Sequence, residues 1–173
     1  MKKREIELLL TGFFLGSAQV GTYFHLLLAE GGSPTLYFLL ILFWLLGSLT
    51  GMFVFAEKRA GLIYKTLCLF FYLVTTLMCE YAEQLFFSVW VTVVVLFCAY
   101  IFGMFAGWFF QNRVETYKDA RFVLLHENNG FILGYATSAA LLFFSSDFTN
   151  GAVFLFGLLL FLCPEPGQEI QKQ

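Results

Sequence analysis

The ten Lys and Arg residues of this 173-residue chain fall in four clusters separated by long apolar stretches. The clusters are Lys2, Lys3 and Arg4; Lys58, Arg59 and Lys65; Arg113, Lys118 and Arg121; and Lys172. Each apolar stretch is broken once by a short segment without a basic residue, at 30–35, 80–84 and 145–150. Cytoplasmic loops of membrane proteins collect Lys and Arg, whereas outer loops do not. With all four clusters on one side, an even number of crossings must separate neighbours, and one helical hairpin fits each gap. The expected fold is an all-α integral membrane protein of six transmembrane helices, built as three hairpins with both termini cytoplasmic.

Composition points the same way. The chain is 60% hydrophobic, 20% aromatic and 13% charged, against roughly 45–50% apolar and about 25% charged in soluble domains. In water it would expose large apolar patches. One membrane domain covering 1–173 is expected, in a plasma membrane and most simply a bacterial inner membrane. A net charge of −2 argues against a nucleic-acid partner. The four cysteines, Cys68, Cys79, Cys98 and Cys163, show no C-x-x-C spacing, so no metal site is expected. Lys2–Arg4 followed by an apolar run and Gly16-Ser17-Ala18 imitates a signal peptide. Glu5 and Glu7 dilute its charge, however, and the run continues through Leu28, which suits a retained first helix.

The apolar runs place helices at about 8–29, 35–56, 62–78, 85–110, 130–144 and 148–163, with a cytoplasmic loop over 111–129 and a cytoplasmic tail over 164–173. Gly31-Gly32-Ser33-Pro34 and Thr149-Asn150-Gly151 are turn signals. The fifth helix is short unless it begins near Phe122, which would bring His126, Glu127, Asn128 and Asn129 to the bilayer edge.

Glycine spacing is the second pattern. Gly12/Gly16, Gly47/Gly51, Gly103/Gly107 and Gly130/Gly134 are four G-x-x-x-G pairs. Small residues four apart leave a groove into which a neighbouring backbone fits. The expected topology puts all four in the cytoplasmic half, with Phe24, Phe38, Phe86 and Trp90 in the outer half. A bundle pinched inside and splayed outside could hold an outward pocket or fill it with its own phenylalanines. The pairs also repeat: Gly47-x-x-x-Gly51-x-Phe53 as Gly103-x-x-x-Gly107-x-Phe109, and Gly12-Phe13-x-Leu15-Gly16 as Gly130-Phe131-x-Leu133-Gly134. Each match crosses in the same direction, so the repeats are parallel.

Chemistry is sparse. His25 and His126 are expected on opposite sides, which does not suit two axial ligands on one haem. His25 reads as an interfacial, hydrogen-bonded residue. No acidic residue falls at mid-bilayer, where a proton relay would sit, and neither a G-x-S-x-G nucleophile motif nor a phosphate-binding loop is present. Catalytic residues and cofactors are therefore not expected. Thr11, Thr22, Thr50, Thr75, Thr76, Thr92, Thr137 and Ser138 suit bonds to backbone carbonyls or across helices. The candidate polar site is Arg113, Lys118, Arg121, His126, Glu127, Asn128 and Asn129, either as a cytoplasmic docking surface or as a solvated loop in which Asn128 or Asn129 caps helix five.

The run Gly31-Gly32-Ser33 leading to Leu46-Gly47-Ser48-Leu49-Thr50-Gly51, with Asn129-Gly130-Phe131-Ile132-Leu133-Gly134 and Leu141-Leu142 later, resembles the membrane domain of spermidine-synthase-like polytopic proteins. The resemblance implies a polytopic helical fold. Gly21-Thr22-Tyr23 stands where family members often carry an acidic or amide residue, and no stretch of this sequence corresponds to the soluble aminopropyltransferase domain, so synthase activity is not implied.

The expected role is a non-catalytic membrane subunit, assembling in the lipid bilayer with other membrane proteins or with itself through glycine-rich helix faces and a basic cytoplasmic surface. The alternative is small-solute transport, since size and helix count resemble the substrate-binding subunit of an energy-coupling-factor vitamin importer. A redox subunit sharing a haem or quinone with a partner ranks last.

Overall fold

A computed structural model describes residues 3–30, 33–53, 61–85 and 88–162. They form six helices: α1 Lys3–Glu30, α2 Pro34–Phe53, α3 Gly61–Leu85, α4 Ser88–Tyr117, α5 Ala120–Leu142 and α6 Ser146–Phe161. The expected Gly31-Gly32 turn, Lys2, Lys58, Arg59, Phe86, Cys163 and the tail with Lys172 lie outside the described residues.

Three helices are long and apolar enough to cross a membrane, over Pro34–Phe53, Gly61–Tyr81 and Val89–Tyr117, and α6 is a shorter apolar helix. In α2 only Leu40, Gly47 and Gly51 are buried, while Phe38, Leu45, Leu49 and Phe53 are exposed. A helix apolar on its outward face needs lipid or protein to cover it.

The glycine pairs decide which helices meet. A methyl group added at Gly12 would overlap the Glu127 carbonyl, and one at Gly16 the Phe131 carbonyl. Reciprocally, Gly130 faces the backbone of Leu9 and Gly134 that of Phe13. Rising along α1 thus rises along α5, so the two helices are parallel. The same holds for α2 and α4: Gly47 faces Tyr100, Gly51 faces Met104, Gly103 faces Trp44 and Gly107 faces Ser48, all through backbone atoms. The two short repeats noted in the sequence are therefore partners, each packed on its own copy. At these crossings the backbones touch, and hydroxyls add bonds between helices: Ser17 Oγ to the Gly134 carbonyl at 3.3 Å and Tyr100 Oη to Thr50 Oγ1 at 2.9 Å. Thr22, Thr50 and Thr76 bond to carbonyls one turn back in their own helices.

The two parallel pairs join through aromatic packing. Phe14 on α1 meets Phe102 and Phe105 on α4, with centroids 5.5 and 6.3 Å apart. α3 packs on α4 through Tyr64 and Trp108, and α6 packs on α1 through Phe13 and Phe156. Lys65, buried in α3, donates to the Leu160 carbonyl at 2.8 Å. This adds a side-chain donor to the last-turn carbonyls of α6, where the chain turns back on Leu159 and Leu160 at the C-cap.

The expected 111–129 loop is helical instead. α4 runs on to Tyr117 and α5 begins at Ala120, leaving Lys118 and Asp119 between them. The Asp119 side chain accepts from Phe122 N at 3.0 Å and caps α5. Capping by Asn128 or Asn129 is thereby corrected, because both lie two turns inside the helix. The polar end of α4 stays helical because its charge has a partner inside the bundle.

Candidate functional site

That partner is Glu7 on α1. Arg113 Nη2 donates to Glu7 Oε1, and the Tyr117 hydroxyl donates to Glu7 Oε2 at 3.3 Å. Both charged residues are buried, and the Arg113 guanidinium lies 5.1 Å from the centre of the Phe109 ring. A buried charge is tolerated only when paired and hydrogen-bonded, so this group clamps α1 to α4 at the Lys118 end of the bundle. Next to it, the Arg4 guanidinium stands over the Phe122 ring at 5.1 Å, tying α1 to the first turn of α5.

The seven residues expected to make one polar site are distributed over this end rather than gathered. Arg113 turns inward to Glu7. Lys118 is exposed in the two-residue turn with φ 53, and its N–H donates to the Val114 carbonyl at 2.8 Å, closing α4 with a left-handed cap. Arg121, Asn128 and Asn129 are exposed. His126 is half-buried; its Nδ1 lies 2.9 Å from the Phe122 carbonyl and its ring 4.3 Å from the Phe122 ring. Glu127, also half-buried, lines a cleft of about 230 Å³ with Asn128 and Leu124 of α5, Ser48 and Met52 of α2, and Ala106, Gly107 and Phe110 of α4. The cleft lies between the two glycine-locked pairs, at the level where both cross.

A second cleft lies toward the opposite end, between residues of α1 and α5. Val20, Tyr23, Tyr135, Ala139, Leu142 and Phe143 line an open, mostly apolar cleft of about 350 Å³ there.

A buried polar network was not legible as a group in the sequence. His25, read there as interfacial, is 3% exposed. Its Nε2 lies 3.3 Å from Thr76 Oγ1, while the Thr76 hydroxyl proton goes to the Tyr72 carbonyl at 3.0 Å. The imidazole therefore donates from Nε2. The Tyr72 hydroxyl donates to Asn150 Oδ1 at 2.8 Å. Gly21 makes room for it, because a side chain there would strike the Tyr72 hydroxyl. The turn signal at Asn150-Gly151 concealed this inward role, since Asn150 lies in α6.

The eight glycines are used within the chain, so they do not form the free faces expected to receive partners. Among the described residues no group of His, Cys, Asp and Glu could hold a metal ion. Comparison with known protein families, curated proteins and solved structures finds no match.

Proposed function

We propose that this chain is a non-catalytic polytopic subunit of a plasma-membrane assembly, crossing the bilayer six times with both termini in the cytoplasm. The observation that carries the reading is the display of exposed polar residues at the Lys118 end. Lys118, Arg121, Asn128 and Asn129 are exposed along α5 and its turn, with Arg121 and Asn128 two turns apart on one face, and Glu127 opens on a cleft. Chemistry needs groups that converge on a reacting atom, whereas a docking surface needs groups displayed on a rigid support. The support here is the pair of glycine crossings and the Glu7–Arg113 clamp.

The orientation follows from the basic clusters, which place the Lys118 end inside. The parallel packing of α1 with α5 and of α2 with α4 supports the alternation of crossings, since helices separated by an even number of crossings must run in the same direction. The partners enter through the basic inner surface and the faces of α5, not through the glycines. Purification from native membranes in mild detergent is expected to retain at least one stoichiometric protein partner. Lys118→Glu with Arg121→Glu is expected to lower its recovery about tenfold without changing the melting temperature. A monodisperse chain with no companion would refute the reading.

A second reading rests on the cleft lined by Tyr23 and Tyr135. Its volume falls near the lower end of small-molecule sites, as a solute-binding transport subunit would need. Thermal stabilisation by one compound of a vitamin panel, lost in Tyr135→Ala, would favour it.

A further inference from the structure

The cleft between α2, α4 and α5 is open and small-floored, and Glu127 is its one ionisable side chain. Ser48, Ala106 and Gly107 keep its floor low, and Glu127 and Asn128 form one wall. The Glu127 side chain makes no hydrogen bond or ion pair with any described residue. It lies six residues along α5 from exposed Arg121, about 9 Å deeper at the helical rise. A carboxylate at this depth is costly unless a protein group or water pairs with it. The buried cations among the described residues are already committed, Arg113 to Glu7 and Lys65 to the Leu160 carbonyl.

We infer that this cleft receives a transmembrane helix of a partner subunit carrying a Lys or Arg in its inner half, whose charge pairs with Glu127. The inference rests on the subunit reading and names its partner's chemistry. Low side chains at Ser48 and Ala106 leave the cleft open to a side chain reaching in from a neighbouring helix. Asn128 beside the carboxylate adds an amide acceptor and donor. A long basic side chain reaches the carboxylate from a neighbouring helix by extending its methylene stem along the apolar walls formed by Met52, Phe110 and Leu124.

The test uses the full-length protein in phosphatidylcholine vesicles, with a dye at its N-terminus, and a labelled Leu/Ala single-span peptide. The peptide carries Lys, Leu or Glu at one site about 9 Å inside its inner flank. Energy transfer is expected to show the Lys peptide binding about tenfold more tightly than the Leu peptide. Glu127→Gln should abolish that preference, and Glu127→Lys should transfer it to the Glu peptide. Equal binding of the Lys and Leu peptides to the unaltered protein would overturn the inference. So would displacement of the Lys peptide when phosphatidylethanolamine replaces half the phosphatidylcholine, which would assign the carboxylate to a lipid amine. Glu127→Gln also separates the two proposals. Unchanged partner recovery from native membranes would refute this site while leaving the subunit reading intact. Peptide discrimination by a chain that copurifies with nothing would do the reverse.

Discussion

Lys118 shows how much one backbone conformation decides. Its φ of 53 lets α4 end and α5 start within two residues, at a cost of about 1–2 kcal/mol for a side chain in the left-handed region. Lys118→Gly is expected to raise stability by roughly 0.5 kcal/mol after the greater freedom of glycine in the unfolded chain is counted, and Lys118→Val to lower it; thermal melts in detergent give the sign. Glu7 and Arg113 make a stronger case. Removing either partner leaves a buried charge, so Glu7→Gln and Arg113→Met should each cost about 3–5 kcal/mol. Glu7→Leu combined with Arg113→Met should cost much less than the sum of the single changes, and a double-mutant cycle measures this. Glycines provide an internal contrast. Gly134→Ala pushes a methyl into the Phe13 backbone and should destabilise by about 1–3 kcal/mol. Gly151 has nothing within 4 Å, so Gly151→Ala should gain about 0.5–1 kcal/mol in α6.

At the scale of elements, six helices were legible as apolar runs, three of them long enough to cross a membrane, and glycines four apart marked faces for close backbone contact without saying which helices would meet. What could not be read was the path from Gln111 to Asn129. Hydropathy ends a helix where charges begin, but Arg113 keeps α4 helical by pairing with Glu7, 106 positions away. The signal for the start of α5 was present in Asp119, three residues before Phe122 and set as an N-cap, but it was masked by the polar residues that follow. The seven candidate site residues are spread over this end, since the helix that replaces the expected loop turns Arg113 inward to Glu7 and sets Glu127 and Asn128 on a cleft. The resemblance to spermidine-synthase-like membrane domains rested mainly on glycines and leucines, and the glycines prove to be packing devices inside this bundle. Gly47→Leu combined with Gly103→Leu should separate α2 from α4 and prevent folding, seen as loss of a monodisperse peak on size-exclusion chromatography.

For the whole molecule, two parallel helix pairs, each locked by its own glycines, meet through the phenylalanines of α1 and α4. The design leaves one end tied by ionic and capping interactions and the other opened into an apolar cleft. It also leaves a broad apolar exterior, with α2 as its plainest stretch. The proposed six crossings, with the Lys118 end inside, are the premise on which the docking surface, the Glu127 cleft and the proposed partner depend. The direct measurement is labelling of single cysteines by a membrane-impermeant maleimide in intact cells, in a chain whose four native cysteines are replaced by alanine. Cysteines at Ser33 and Ser145 should label at once, and cysteines at Lys118 and Lys172 only after the membrane is permeabilised. Labelling of Lys118→Cys from outside, or protection of Ser145→Cys until permeabilisation, would contradict the account.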